Sequence, residues 1–282
     1  MTSSTFLGIT TLTYLLCMAL YISYLFFRNK TFGNIITGTV WIGLVFNTIG
    51  LGLRWYESYK IGYGHIPLAN FYEALVSLSW TTVIIYLVIE YRYKIKSLGM
   101  LVFPVISIAM AYASLSPNIR DEIEPLIPAL QSNWLTYHVL TCFLGYSAFT
   151  VSFGASIVYL FKMEKKEPRG SGKKERAELL PSLKALDEII YKTIGIGFLL
   201  LGVGIITGAV WANYAWGSYW SWDPKETWSL ITWFIYAAFL HARLTRGWKG
   251  KRAAIISIVG FVSVLFTFLG VNYLLAGLHS YA

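Results

Sequence analysis

Apolar residues fall into eight stretches of membrane length, separated by short polar or basic segments. They run approximately Thr5–Phe27, Asn34–Leu53, Phe71–Ile89, Leu98–Leu115, Thr136–Phe161, Ile190–Val210, Trp228–Ala242 and Ala253–Leu275. A bilayer core asks for about 20 apolar residues per helix. The pattern therefore predicts an all-α, polytopic membrane protein of about eight transmembrane helices, forming one integral membrane domain over residues 1–282. The seventh stretch is the shortest. The first does not read as a cleavable signal peptide, because it lacks a basic leading region and is followed by Arg28 and Lys30. Between the fourth and fifth stretches, Ile123, Leu126, Ile127, Leu130 and Trp134 recur at helical spacing despite Pro125 and Pro128. That spacing predicts a broken helix lying in the membrane interface.

Composition agrees: 56% of residues are apolar and 13% charged, against roughly 45–50% and 25% in soluble domains. Disorder and a secreted disulfide scaffold are excluded by these figures. The net charge of +9 acquires meaning from its placement. Of the 23 Lys and Arg residues, 19 lie in the loops after spans one, three, five and seven, and only Arg54, Lys60, Arg120 and Lys225 lie on the other side. Basic loops stay cytoplasmic, which predicts that both termini are extracytoplasmic. The charge is a topology signal, and a nucleic-acid role is not expected. The basic loop 162–189 reads as flexible and solvated, without chemistry of its own.

Tryptophan is concentrated rather than spread. Trp211, Trp216, Trp220, Trp222, Trp228 and Trp233 fall within one short region, joined by Tyr214 and Tyr219, and the external loop 211–228 contains Trp-Gly-Ser-Tyr-Trp-Ser-Trp-Asp-Pro-Lys-Glu-Thr-Trp. Interfacial belts take one or two aromatics per helix end. The greater density here reads as an amphipathic aromatic shelf for a large, flat, apolar ligand. Asp223, Pro224 and Glu226 spell a capping box at the start of span seven, and Asn70 to Glu73 have the same form at span three. Asp223 and Glu226 are thus read as helix caps ahead of proton-transfer groups.

Four histidines complete the chemistry: His65, His138, His241 and His279. A single histidine at a span end is most often a hydrogen-bonded structural residue. His138 and His279, however, both emerge on the face of the tryptophan loop, where two imidazoles could ligate haem iron axially. Lys225 and Arg54 are candidate partners for the haem propionates. Cys17 and Cys142 form no Cys-x-x-Cys, so covalent haem attachment to this chain and dithiol redox chemistry are not expected. Cys142 lies one turn after His138 on the same helix face and reads as a packing residue.

At these positions the sequence resembles a known family. The run Trp216-Gly217 to Trp228 is similar to the tryptophan-rich "WWD" motif of the haem-handling proteins of cytochrome c maturation, and within that group to the CcsA (ResC) branch of system II. The segment Gly64-His65-Ile66-Pro67-Leu68-Ala69-Asn70-Phe71-Tyr72-Glu73 resembles that branch, as do Trp134–Val139 and Gly277–Tyr281. The resemblance implies haem b (iron-protoporphyrin IX) as cofactor. It implies His138 and His279 as ligands at an outer site, with Trp216, Trp220, Trp222, Asp223 and Trp228 in the loop that holds the porphyrin. His241 would serve a second haem position within the membrane, its other ligand coming from a CcsB (ResB)-like membrane subunit. His65 matches a family segment without an assured ligand role.

The function so implied is haem binding, transport across the membrane and presentation to the Cys-x-x-Cys-His segment of apocytochrome c. Thiol-reducing proteins would be further partners, in the cell membrane or, for a plastid chain, the thylakoid. No residue is an obvious acid–base catalyst, so the chain is expected to be a component of a haem ligation complex rather than an enzyme alone. Alternatives are a system I handler like CcmC, which passes haem to a chaperone, and a bis-histidine membrane electron carrier. A haem-free transporter is a third class, whose inverted repeats are not evident.

Overall fold

The computed structural model describes residues 2–27, 29–164, 181–275 and 277–278. These residues form eight long helices and no strand among those described. In chain order they are α1 (Ser3–Phe27), α2 (Lys30–Lys60), α3 (Phe71–Tyr93), α4 (Gly99–Leu115), α5 (Asn133–Glu164), α6 (Leu183–Trp216), α7 (Pro224–Arg246) and α8 (Lys251–Leu274). Each corresponds to one predicted stretch. Six are long and apolar enough to cross a membrane, α4 is a shorter apolar helix of 17 residues, and α7 carries polar residues at both ends. The chain is a polytopic helical membrane protein.

Most helices outrun their apolar stretch, and capping side chains satisfy the first turns of four of them. Asn29, Asn70, Ser182 and Asp223 accept from the backbone at the starts of α2, α3, α6 and α7. Gly217 closes α6 in the left-handed region at φ 76°, a conformation that costs glycine little. At 32 residues, α5 extends about 48 Å at 1.5 Å per residue. It therefore projects beyond a hydrocarbon core of about 30 Å. The basic loop falls mostly on residues 165–180, outside the described residues, while α5 reaches Glu164 and α6 begins at Leu183.

The long helix α5 is the hub, packed against α3, α4, α6 and α8. Its contact with α6 is close because small residues meet there. A Cβ on Gly145 would stand 3.2 Å from the Gly197 carbonyl oxygen, and one on Gly204 would stand 2.5 Å from Cys142 Sγ. Lipid gives no hydrophobic drive to helix association, so close backbone approach and interhelical hydrogen bonds carry the packing. Hydroxyl pairs supply the latter: Thr81 and Thr82 with Ser147 of α5, and Ser152 of α5 with Ser257 of α8. Far from the tryptophan loop, Arg243 of α7 pairs with Asp187 of α6 at 2.6 Å, and Asp187 also accepts from Gly250 N.

The segment 116–132 departs from the predicted broken helix. It is irregular, with a turn at Ser116–Ile119 and one 3-10 turn at Pro128–Leu130. Pro125 and Pro128 supply no N–H, and the carbonyls of the segment are taken by side chains from elsewhere. Arg54 donates to the Asp121 and Glu122 oxygens at 2.7 and 2.9 Å, and Asn70 to Glu122 at 3.1 Å. His65 Nε2 lies 2.9 Å from the Glu124 oxygen, and Trp211 Nε1 donates to Ala129 at 2.8 Å. The result is a strap drawn across the end of the bundle that carries the tryptophan loop.

Candidate functional site

Under this strap, α3, α5, α6, α7 and α8 line a partly open cavity. Its lining is predominantly apolar and aromatic, including Phe71, Phe143, Tyr146, Trp211, Tyr219, Trp220 and Phe268. Leu130 of the strap also contributes.

His138 of α5 is the only histidine lining the cavity among the described residues. Its Nδ1 lies 2.7 Å from the Gly204 carbonyl oxygen of α6, and its ring stacks on Trp211 at 5.9 Å and 12°. A carbonyl can only accept, so Nδ1 carries the proton and the lone pair is on Nε2. That is the arrangement metal-ligating histidines adopt when a backbone carbonyl orients them. Gly208 makes room for the ring: a Cβ there would meet His138 Nδ1 at 2.6 Å. Cys142 lies beneath, with Sγ 3.7 Å from His138 Nδ1, buried against Gly204.

The tryptophans are not one flat shelf. Trp220 lines the cavity, and Trp211 does so from the last turns of α6. Trp216 packs on the far side of Trp211 at 4.8 Å. Trp228 leans on Phe266 of α8 at 4.2 Å, and Trp233 stacks on Phe198 at 4.5 Å. Trp222 is 69% exposed at a left-handed φ of 60°, edge-on to Trp220. Of the five loop residues expected at the porphyrin, Trp220 lines the cavity, while Trp216, Trp222, Asp223 and Trp228 stand behind or beside it.

Asp223 has the predicted capping role and a second one. The capping box with Glu226 is complete, and Asp223 Oδ1 accepts from Lys225 N at 2.9 Å. Its Oδ2 accepts from Leu278 N at 2.6 Å, tying the tryptophan loop to the chain immediately before His279. His279 itself lies outside the described residues. At the second predicted box, Asn70 Oδ1 accepts from Glu73 N, but the Glu73 carboxylate turns to Ala69 N and to Arg54.

Arg54 is correspondingly removed from the propionate candidates. It is 1% exposed, bonded to Glu73 at 2.6 Å and to two strap carbonyls. His65 is buried with both ring nitrogens beside carbonyl oxygens, of Ile66 and Glu124, and serves the strap. His241 is exposed near the opposite end of α7, roughly 24 Å along the helix from Lys225 at 1.5 Å per residue. The structure therefore places His138 and Trp220 on one cavity, ties the segment leading to His279 to Asp223, and keeps His241 apart. Trp211 and Tyr219 line the site without having been singled out as porphyrin-holding residues, and Lys225, a propionate candidate, lines it as well. One signal in the sequence pointed to Trp211: Gly204, Gly208 and Trp211 follow i, i+4, i+7 spacing, which places them on one helix face.

The molecule is thus a helical membrane bundle with an aromatic, histidine-bearing, predominantly apolar cavity beneath a strap. The chain belongs to the family described as "Cytochrome C assembly protein", which matches residues 68–279. It is 40% identical over 289 residues to "Cytochrome c biogenesis protein CcsA" of Guillardia theta, covering 97% of this chain and 94% of that one. The protein of the same name from Gloeobacter violaceus is 42% identical over 294 residues, covering 87% and 85%. Among solved structures, "Cytochrome c Heme Lyase CcmF" superposes with a TM-score of 0.70 at 17% identity. The match takes in 95% of this chain but 47% of that one, and the likeness is one of fold.

Proposed function

We propose that this chain is the membrane haem-handling component of system II cytochrome c maturation. It takes haem b, holds it in the cavity beneath the strap and presents it to the Cys-x-x-Cys-His segment of apocytochrome c. His138 and His279 serve as the axial ligands. The observation that carries this reading is His138, seated in a predominantly apolar, aromatic cavity with its Nδ1 proton directed to the Gly204 carbonyl. Haem supplies the iron and the vinyl groups, and each cytochrome thiol adds its S–H across one vinyl double bond. The chain contributes orientation, water exclusion and control of the iron through its histidines.

His241 serves a second haem position nearer the cytoplasm, with a ligand from a CcsB (ResB)-like membrane subunit, and thiol-reducing proteins keep the cytochrome cysteines reduced. The uneven placement of Lys and Arg supports an orientation with the cavity and both termini outside the cytoplasm. The membrane is the bacterial cell membrane, or the thylakoid in a plastid. The test is the absorption spectrum of the protein purified with its membrane partner. His138→Ala combined with His279→Ala abolishes the bis-histidine bands of the outer haem, and unchanged bands would overturn the assignment. His241→Ala lowers haem at both positions if the inner site feeds the outer one.

A further inference from the structure

The polar side chains on the cavity wall are for the most part committed. Asn70 Nδ2 donates to the Glu122 oxygen at 3.1 Å, and Ser229 Oγ to the Glu226 carbonyl oxygen at 2.7 Å. Glu226 Oε2 accepts from Ser221 N at 2.8 Å. Lys225 Nζ donates to Asn272 Oδ1 at 2.8 Å, and Asn272 Nδ2 to the Phe268 oxygen at 2.9 Å. An exception is Tyr146 of α5. It lines the cavity and is only 7% exposed, yet its phenol hydroxyl has no hydrogen-bond partner among the described residues.

The place of Tyr146 follows from α5. His138, Cys142 and Tyr146 recur every four residues and all line the cavity. Tyr146 therefore stands about 12 Å further along the helix axis than His138, at 1.5 Å per residue. Helical side chains lean toward the N-terminus of their helix, and α5 begins at Asn133, beside the strap, so the ring leans back toward His138. Phe268 meets it edge-on at 6.3 Å, and Phe143 meets Phe268 at 6.1 Å. Aromatic surface thus closes the inner end of the cavity around one hydroxyl. A buried hydroxyl without a partner is costly, and phenylalanine would fill the same space without that cost. A phenol kept there points to an acceptor on the ligand.

We propose that Tyr146 donates a hydrogen bond to a propionate oxygen of the bound tetrapyrrole and so holds the propionate half of the ring at the inner end of the cavity. The proposal rests on the haem-handling reading above and deepens it. Propionates are the longest side chains of protoporphyrin IX and the only ones that carry an acceptor oxygen. They occupy the half of the ring opposite the vinyl groups. Two axial histidines fix the ring normal and leave rotation within the plane free. Cytochrome thiols arrive from the outer face, so the reactive rotation turns the vinyl half toward the strap and the propionate half toward the phenol.

The experiment titrates the purified protein, wild type and Tyr146→Phe, with haemin and with iron etioporphyrin, whose side chains are all alkyl, and follows absorption. Tyr146→Phe removes a single oxygen. It weakens haemin roughly 2- to 12-fold, the range of one neutral hydrogen bond, and leaves the affinity for iron etioporphyrin unchanged. That unchanged affinity reports an intact cavity. In resonance Raman spectra of bound haemin, the propionate bending band shifts in the variant while the vinyl stretching bands stay in place. An unaltered haemin affinity in Tyr146→Phe overturns the proposal, as does an equal loss of both porphyrins, which would mark the hydroxyl as a packing group. If the wild type binds neither porphyrin with a histidine-ligated spectrum, the haem-handling reading itself fails. A wild type that ligates both normally, with no difference in the variant, fails the proposal alone.

Discussion

His138 Nδ1 of α5 lies 2.7 Å from the carbonyl oxygen of Gly204 in α6. An interhelical contact between a side chain and a backbone group thus decides which nitrogen of a cavity histidine can bind a metal. It exists because the two helices approach through glycines, and Gly208 is the residue directly under the ring.

Gly208→Ala places a methyl group 2.6 Å from the present Nδ1 position, so the ring must move off Gly204. Haem affinity is expected to fall roughly 10- to 100-fold, the range for loss of a ligand-orienting contact. Circular dichroism should report unchanged helix content. An unaltered haem titration would mean that the ring can shift and still ligate.

The strap depends on Trp211, whose indole N–H reaches the Ala129 oxygen. Trp211→Phe keeps most of the aromatic packing and removes that bond, worth about 0.5–1.5 kcal/mol. Hydrogen exchange of residues 126–131 should accelerate while the core of α5 is unaffected. Exchange rates that stay at the wild-type level would show that the strap is held by its other anchors alone.

His65 offers a contrast between anchoring and ligation. Its ring meets the Ile66 and Glu124 oxygens and does not line the cavity. His65→Gln should lower haem loading by loosening the strap while leaving the position of the absorption bands unchanged. A displaced band would identify His65 as an iron ligand.

Asp223 joins the start of α7 to the segment before His279 through Leu278 N. Asp223→Ala loses the N-cap, at about 0.5–2 kcal/mol, and releases that segment. Reduced thermal stability together with a weakened low-spin haem spectrum is expected. Asp223→Asn, which keeps an acceptor, should recover most of the stability. A variant destabilised to the same degree but spectrally intact would separate the cap from the ligand segment.

Arg54 and Glu73 form a buried ion pair whose single disruption leaves a charge unpaired at about 3–5 kcal/mol. Arg54→Gln should lower the unfolding temperature markedly. Among molecules that remain folded, the absorption spectrum of bound haemin should be unchanged. A displaced band would return Arg54 to the ligand side of the cavity.

The helical framework was legible because its signal is local. Twenty apolar residues have few alternatives to a membrane helix; every predicted stretch from Thr5 to Leu275 became a helix, six of them long and apolar enough to cross a membrane. Capping at Asp223 was legible for the same reason, since its partners lie within three residues. The strap was not. Leu126, Ile127 and Leu130 have helical spacing, yet carbonyls bonded by Arg54, His65, Asn70 and Trp211 hold the backbone in an irregular path. Those donors stand 52 to 82 residues away in sequence, and no local pattern announces them.

By itself the sequence determined the helix count, the caps and the chemistry available at one end of the bundle, because spans, caps and a dense aromatic motif are written in neighbouring residues. Only the tertiary structure decided how that chemistry is shared out. It turned Arg54 and His65 into anchors, set Trp211 against His138, and brought Lys225 to Asn272. Each outcome depends on close approach between helices distant in sequence, set by glycines and by the need of buried polar groups for a partner.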